Sequence, residues 1–304
     1  MILIIGDETD NHVKRVSRSL TRHGADYTVI DPFKTIILPS ARIELNPRTD
    51  RRNYIAIWDR LKPIALGSLD EKAQYIIRER VAAIRAIQWQ NVDSARLMNP
   101  PSAAEYARSK FLQLKTAAAH SLQIPRTYIG NDADEACEFV QNCQAGAIAK
   151  SLTWYVGPDA RMSFTHVVTV HRIRSAAASV AYSPLIYQEY VPKKYELRVT
   201  CVGSALFAAK IHSQKSRKAI IDWRRDQFNL RYEKTVLPSD LEEKILGVQS
   251  TLGLNYGAYD FAVTPKEEYV FLEVNSSGNW LWLEDRLHLQ ISEGISKWLL
   301  GIIS

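Results

Sequence analysis

The sequence predicts an α/β protein with two compact units, or one unit divided into lobes. Residues 1–5 and 27–30 are apolar runs that flank an amphipathic segment ending near Gly24. This strand, helix, strand order is typical of a small parallel sheet. From residue 185 onward, one strand-like segment follows another, which predicts a second, strand-rich unit of the α+β kind. A chain of 304 residues is long enough to bury a core in each.

Composition limits the class of protein. The chain is 46% apolar and 24% charged, as in ordinary globular proteins. No apolar run reaches the roughly 20 residues of a membrane-spanning helix, and the N-terminus, which meets acidic residues after five apolar ones, does not resemble a secretory signal. We therefore expect a cytoplasmic protein without a membrane partner. Cys137, Cys143 and Cys201 match neither a redox pair nor a zinc site.

A net charge of +6 indicates an anionic partner without identifying it. Residues 214–234 hold seven Lys and Arg residues against three acids. Such a segment is either a solvated loop or a clamp for phosphate or carboxylate groups, and charge alone leaves both open.

Chain breaks suggest where the units divide. The sequence Asn99-Pro100-Pro101 is the strongest break, and we place the first boundary there, after residue 98. Short strands are predicted within residues 36–58. One uninterrupted helix is predicted from Ser102 to about Ser121, with Ser102 and Glu105 forming a capping box.

Two acidic residues interrupt neighbouring apolar strands near the C-terminus. Residues 259–263 and 268–275 are joined by a turn at residues 264–267, which predicts an antiparallel hairpin. With that turn, Val263 faces Val270 and Asp260 lies opposite Glu273. A slip of one residue would move Asp260 to the other face.

Alternation along the second strand places Phe271, Glu273 and Asn275 on one face, with Leu272 and Val274 on the other. Two opposed carboxylates with a nearby amide oxygen form a hard, all-oxygen site suited to Mg²⁺ and substrate phosphates. One protonated acid hydrogen-bonded to its neighbour, or a strand with this face in water, would explain the same pattern. Of the three, we favour the metal site.

A set of short motifs runs in order along the chain from Asn99. They are Asn99-Pro-Pro, Ser109-Lys110, Gln113-Leu114, Ile124-Pro-Arg-Thr127, Ala149-Lys150, Tyr187-Gln-Glu-Tyr-Val191, Tyr195-Glu-Leu-Arg-Val199, Asp222-Trp-Arg224, Tyr256-Gly-Ala-Tyr-Asp-Phe261 and Phe271-Leu-Glu-Val-Asn-Ser-Ser-Gly278. Each motif is weak alone, but the ordered set is specific. It resembles the ATP-grasp superfamily, and within it the microviridin-type (graspetide) maturases of ribosomally made peptides. The family commonly has Pro after the metal-binding Asn, whereas Ser276 follows here.

The resemblance implies an ATP-grasp fold with three units, and with ATP held between the last two. They are an N-terminal Rossmann-like domain over residues 1–98, a central lid lobe over residues 99–186 and a C-terminal catalytic lobe over residues 187–304. The resemblance also implies roles for individual residues. Lys110 and Lys150 would contact phosphates, and Glu196 would lie near the ribose. The residues implied at the adenine hinge are Gln188, Glu189 and Val191. Those implied as catalytic are Arg198, Lys210 and Arg224, with Arg198 and Lys210 also touching the nucleotide. Those implied as Mg²⁺ ligands are Asp260, Glu273 and Asn275.

Three of these residues also have simpler explanations. Lys110 could be an exposed helix lysine, and Gln188 with Glu189 could be a polar pair at a sheet edge. Arg198 differs, because arginine is rarely buried in a strand without a partner.

The implied activity is that of an ATP-dependent ligase. It would activate Asp or Glu side chains of a precursor peptide as acyl phosphates and join them to Ser, Thr or Lys as ω-esters or ω-amides. ATP and Mg²⁺ are the implied cofactors, a peptide with a leader and an acidic core is the implied partner, and nucleic acid is disfavoured. A homodimer is expected. Two alternatives stay open: a ligase that adds a free amino acid to a peptide or protein, and a non-catalytic module that binds nucleotide or nucleic acid.

Overall fold

A computed structural model describes residues 1–31, 54–61, 70–91, 95–153 and 164–304. The part of the strand prediction that falls on residues 36–53 lies outside these ranges. Within them, the chain forms three sheets, each with its own helices. None of the helices in the described ranges has the length and apolar character needed to cross a membrane.

The N-terminal sheet is parallel, as the sequence predicts, with strand order β2-β1-β3-β4. Its elements are β1 (Ile2–Ile5), α1 (Asn11–Arg22), β2 (Tyr27–Ile30), β3 (Ala56–Asp59), α2 (Glu71–Gln90) and β4 (Arg96–Met98). All four residues of β1 are buried, because helices cover both faces of the sheet. The Asp10 side chain accepts a hydrogen bond from the His12 amide and so caps α1 just beyond the carboxyl end of β1.

The helix predicted from Ser102 to Ser121 is broken in two, α3 (Pro101–Tyr106) and α4 (Lys110–Ala119). Ser102 is not the cap: Pro100 occupies that position, without a side-chain hydrogen bond. Ser109 Oγ accepts from the Leu112 amide at 3.3 Å and starts α4. Lys110 therefore lies in the first turn of a new helix.

The central sheet is antiparallel, with order β5-β8-β6-β7. Its elements are β5 (Thr127–Gly130), α5 (Ala133–Gln141), β6 (Ala147–Lys150), β7 (His166–Val168), α6 (Val170–Ser175), α7 (Ala177–Tyr182) and β8 (Leu185–Glu189). A small core of Ala136, Val140, Ile173 and Val180 holds the helices against Tyr187 of β8. The boundary predicted between residues 186 and 187 falls inside β8, and the division into three units stays a prediction.

The C-terminal sheet is antiparallel, with order β11-β10-β9-β12-β13. Its elements are β9 (Tyr195–Val202), β10 (Ala205–Ile211), β11 (Tyr232–Thr235), α8 (Ser239–Thr251), β12 (Tyr256–Val263), β13 (Tyr269–Asn275), α9 (Leu281–Leu287) and α10 (Ile291–Leu299). One face packs on α4 and α8, through Leu114, Ile245 and Val248 among others. In β9, Leu197 and Val199 face this core, while Glu196 and Arg198 face the other side.

The hairpin of β12 and β13 confirms one predicted pairing and corrects another. Asp260 lies opposite Glu273, as predicted, but Val263 pairs with Tyr269 instead of Val270. The register shifts by one residue between Asp260 and Phe261, which leaves Leu272 as the extra residue of a β-bulge.

The bulge also changes which side chains of β13 share a face. The predicted alternation grouped Phe271 with Glu273, but Phe271 is buried in the core with Val274. Leu272 and Glu273, adjacent in sequence, both line the opposite side. The extra residue thus lets two cavity-lining residues follow each other, which strict alternation would not allow.

The outer edge of β13 is covered by other parts of the chain. The Gln113 side chain accepts from the Val274 amide at 3.0 Å and donates to the Val274 carbonyl at 2.8 Å. The Phe271 amide donates to the Gln123 carbonyl at 2.8 Å. A buried glutamine and a short extended segment therefore supply the hydrogen bonds of a missing neighbouring strand.

Candidate active site

A cavity of about 1260 Å³ lies where the three sheets meet. Eleven of the twelve residues predicted to form the site line it. They are Lys110, Lys150, Gln188, Glu189, Val191, Glu196, Arg198, Arg224, Asp260, Glu273 and Asn275. The twelfth, Lys210, lies elsewhere.

Arg198 and Asp260 form a buried ion pair at the base of this cavity. They are directly paired on β9 and β12, and Arg198 Nη1 donates to Asp260 Oδ2 at 2.6 Å. Only 5% of Arg198 is exposed. Burial raises the pKa of Asp260, Arg198 opposes that shift, and the nearby Glu273 adds to it. Arg198 was expected to need a partner within its strand environment, and that partner is the carboxylate of Asp260 on the neighbouring strand.

Glu273 lies among cations. Its Oε2 is 2.8 Å from Lys110 Nζ, and its Oε1 accepts from Asn275 Nδ2 at 3.1 Å. Burial opposes ionisation, but Lys110, Lys150 and Arg224 outweigh it and hold the pKa of Glu273 well below its usual range. The two opposed acids thus differ, with the pKa of one raised and the other lowered. The contact with Glu273 also argues against Lys110 being a freely solvated helix lysine.

Lys150 is a cation without an ion-pair partner among the described residues. It closes β6 and lines the cavity. Burial lowers its pKa to about 8, Glu273 opposes the shift, and Lys110 and Arg224 add to it. An ammonium held in this way is suited to meet a negatively charged ligand.

Arg224 is held in place by Asp222 through two hydrogen bonds, Nε to Oδ1 at 2.8 Å and Nη2 to Oδ2 at 2.6 Å. The Thr165 amide also donates to Asp222 Oδ2 at 3.2 Å. The guanidinium therefore has a fixed orientation beside the carboxylate cluster. This supports the clamp interpretation for part of the basic segment.

The predicted hinge residues line the cavity, but the side chains of Gln188 and Glu189 form hydrogen bonds to other residues of the protein. Gln188 is 1% exposed and donates to Thr127 Oγ1 at 2.9 Å. Its strand, β8, lies between β5 and β6, so the explanation as a sheet-edge pair does not apply to it. Glu189 Oε1 accepts from the Gln144 amide at 3.1 Å. Glu196 contacts Lys193 Nζ at 2.9 Å, and burial raises the pKa of Glu196 although Lys193 opposes it.

Comparison with solved structures places this arrangement in a known fold. A RiPP-associated ATP-grasp ligase from Chryseobacterium gregarium, in complex with ADP and a leader and core peptide, is 26% identical with a TM-score of 0.82, over 100% of this chain and 97% of that one. The macrocyclase MdnC from Microcystis aeruginosa MRC, bound with its precursor peptide MdnA, is 27% identical with a TM-score of 0.80, over 99% and 100%.

The chain belongs to the ATP-grasp superfamily. The ligase PsnB, solved with a minimal precursor, Mg and ADP, shares the fold at 18% identity and a TM-score of 0.75, over 99% of this chain and 96% of that one. No protein-family model matches the chain, and no curated protein sequence matches it.

The cavity residues fit the ATP and Mg²⁺ on which ATP-grasp enzymes depend. The described residues include no cluster of three or more His, Cys, Asp or Glu side chains arranged for a metal. Asp260, Glu273 and Asn275 instead offer two carboxylates and one amide oxygen, a set that Mg²⁺ uses when phosphates and water complete its shell. Asp260 contacts Arg198 and Glu273 contacts Lys110, and each of these cations could also bind a phosphate. The Lys150 ammonium could bind a further phosphate oxygen.

Lys210 is not brought to the ATP-grasp cavity. It pairs with Leu197 across β9 and β10, so it shares the face that packs on α4 and α8. Its ammonium lies 5.1 Å from the centre of the Tyr195 ring. Lys210 does lie in a strand, but its neighbour Ala209 is the residue opposite Arg198, so the side chain of Lys210 points away from the cavity.

Seven residues from the N-terminal part of the chain were missed as parts of the cavity, among them Asp10, His12 and Arg60. Arg60 is buried, and its Nη1 and Nη2 donate to the Ser277 carbonyl at 2.6 Å and to Asn279 Oδ1 at 2.5 Å. Both acceptors belong to the short loop that follows Asn275. The signal was present in a buried strand ending in Asp-Arg, at the carboxyl edge where parallel sheets hold ligands.

His12 also forms hydrogen bonds with the segment after Asn275. Its Nδ1 contacts Asp10 Oδ1 at 2.9 Å, while its Nε2 accepts from the amides of Trp280 and Leu281 at 3.4 and 3.3 Å. The N-terminal sheet therefore holds the loop that follows the proposed metal ligands at two points.

Proposed function

We propose that this chain is an ADP-forming ligase that crosslinks a ribosomally made precursor peptide. A side-chain carboxylate of Asp or Glu attacks the γ-phosphorus of ATP to give an acyl phosphate and ADP. A Ser or Thr hydroxyl, or a Lys amine, then displaces phosphate to form an ω-ester or ω-amide, which places the product among the graspetides.

One observation carries the proposal: Lys110, Lys150, Arg198 and Arg224 converge on an opposed pair of carboxylates inside a single cavity. Phosphoryl transfer needs charge neutralisation and alignment more than a strong base. Lys150 would bind a phosphate oxygen, and Arg224, fixed by Asp222, would orient the incoming carboxylate. Arg198 would keep Asp260 ionised for metal binding. Bound through Asp260, Glu273 and Asn275, Mg²⁺ would neutralise charge on the phosphates.

Each of the three predicted units would have its own role in the reaction. Residues 1–98 would support the catalytic loop, residues 99–186 would form the lid, and residues 187–304 would supply the metal and phosphate contacts. Gln188, Glu189 and Val191 would meet the adenine through backbone groups, because the first two side chains already have partners. Glu196 would bind the ribose after exchanging its contact with Lys193.

The peptide partner is supported by the similarity to ligases solved with leader, core and precursor peptides, at 26% and 27% identity over nearly the whole chain. We infer a cytoplasmic site of action, since ATP is the energy source, and a homodimer as the resting assembly. Light scattering after size exclusion would give the mass of that assembly.

The decisive experiment incubates the enzyme with the short peptide encoded beside its gene, ATP and Mg²⁺. Each crosslink removes one water, so we expect the peptide mass to fall by about 18 Da per ring. An unchanged peptide mass during ATP turnover would rule out crosslinking.

The same assay separates the alternatives. A ligase for free amino acids would release ADP when a small amino acid replaces the peptide and would increase the acceptor mass. A non-catalytic module would release no ADP with any acceptor, and Glu273→Gln would leave nucleotide release unchanged.

A further inference from the structure

A second cavity, of about 910 Å³, lies beside the candidate active site between α1 and the connection from α9 to α10. We call it the α1 groove. Basic residues of α1 form one wall, and the other wall carries two acids, Glu284 and Asp285, beside uncharged residues. The basic residues are Lys14, Arg15, Arg18 and Arg22, and the facing residues include His288, Gln290 and Ser292.

The α1 groove has unused positive charge. Arg15 donates to Glu284 Oε1 at 3.0 Å and to Asp285 Oδ1 at 2.6 Å, so the two acids of the groove are already paired. Arg22 is 3.7 Å from Glu293 and largely exposed. Within the described ranges, Lys14 and Arg18 have no ion-pair partner, and both are exposed. The groove therefore offers two free cations and a third that is loosely paired.

The groove adjoins the active-site cavity. Asp285 lines both, and α1 lines the cavity through Asn11 and His12 before it lines the groove from Lys14 onward. Lys14, Arg18 and Arg22 are spaced by four residues and so follow one face of the helix. From the start of α1 to its end is about 18 Å, the length of about five extended residues.

We infer that the α1 groove binds a short acidic segment of the peptide substrate while a neighbouring part of that peptide occupies the active site. This inference rests on the proposed function for its choice of substrate. The paired acids Glu284 and Asp285 in the floor favour a peptide with spaced carboxylates over a nucleic-acid backbone with a charge at every unit.

The test measures binding of fluorescein-labelled hexaglutamate by anisotropy at low salt, without ATP. We expect the double variant Lys14→Glu with Arg18→Glu to weaken binding by at least roughly tenfold, because attraction becomes repulsion. The matched control, Lys72→Glu with Arg78→Glu, makes the same charge change on exposed positions of α2 and should bind within about twofold of wild type. Circular dichroism verifies that both variants fold.

Three results would overturn the inference: equal losses in the two double variants, no loss in either, or equal binding of hexaglutamine. Tighter binding of a hexathymidylate of the same length would assign the groove to nucleic acid instead. Because no ATP is present, these outcomes are independent of ligation. Hexaglutamate binding without crosslinking activity would refute the proposed function and leave the groove assignment intact.

Discussion

The two faces of the C-terminal sheet perform different tasks with the same strands. On one face, Arg198 and Asp260 form an ion pair inside a cavity. On the other, Leu197 and Phe261, each adjacent in sequence to one of these residues, belong to the apolar core. Since successive side chains of a strand point to opposite faces, one strand can anchor the fold and build the site at once. The role of a charged residue in such a strand can be assigned only when the face to which its side chain points is known.

Two lysines show the consequence. Lys150 and Lys210 both lie in apolar strands and were both assigned to phosphate. Lys150 lines the cavity, whereas Lys210 lies over Tyr195 on the core-facing side. The predictions below test whether function follows the face.

The largest effect is expected from the carboxylate of the cavity face. Glu273→Gln should reduce kcat for crosslinking by at least roughly a hundredfold, because a neutral amide leaves the metal site with one carboxylate. ADP release and peptide mass measure it. Glu268→Gln, on the same hairpin but exposed at its turn, is the control and should match wild type. Near-normal activity of Glu273→Gln would contradict the metal assignment.

The lysine pair gives the most direct comparison. Lys150→Met should raise KM for ATP by roughly tenfold or more, through loss of a charge-assisted hydrogen bond. Lys210→Met should keep KM within about twofold and lose only its contact with Tyr195, worth about 0.5–1 kcal/mol. Steady-state kinetics and thermal unfolding measure the two quantities. Equal changes in KM would show that the face does not decide the role.

A smaller effect is expected at Arg60, which connects the N-terminal sheet to the loop after Asn275. Arg60→Lys keeps the charge but loses the planar fork that reaches Ser277 and Asn279. We expect kcat to fall about tenfold with KM for ATP nearly unchanged, as misplacement of catalytic groups predicts. Arg85→Lys, at a half-exposed ion pair with Asp59 in the same sheet, is the control. A change in KM alone would refute the positioning role.

The smallest effect concerns stability and pH. Burial lowers the pKa of Lys150 from 10.5 to about 8. Below pH 8 the lysine is protonated in both the folded and unfolded states, and burying its charge lowers the free energy of unfolding. Between pH 8 and 10.5 the unfolded state binds more protons, so the free energy of unfolding rises with pH.

Lys150→Met should therefore raise Tm at pH 7 in the absence of ATP, by an amount that shrinks by pH 10. Thermal unfolding of both proteins at the two pH values measures this difference. A variant less stable than wild type at pH 7, or a difference independent of pH, would show that the lysine does not carry this cost.

Local pattern and motif order predicted much of the site. The turn at residues 264–267 predicted the hairpin, but the strands next to it pair one residue away from the predicted register. Asp260 still lies opposite Glu273, because the bulge at Leu272 compensates for that offset. The bulge at Leu272 could not be foreseen from alternation, and it moved Phe271 into the core. The break between α3 and α4 was missed because Ser109 was not considered as a cap.

Contacts between distant segments were harder to predict. Arg60 and Asn279 are separated by more than 200 positions, and nothing in either local sequence indicates the other. The face of Lys210 depended on the register of β9 with β10, for which the sequence offered no independent marker. The parallel N-terminal sheet, in contrast, followed from an apolar and amphipathic pattern over the first 30 residues.

The covered edge of β13 has a consequence for how polypeptides can approach this enzyme. Exposed sheet edges recruit extended chains, either as ligands added as an extra strand or as copies of the same protein that begin to aggregate. Here Gln113 and Gln123 already satisfy the backbone groups of Phe271 and Val274. Under the proposed function, a flexible peptide substrate would lie beside β13 without joining it as a strand, and recognition at this edge would be left to side chains.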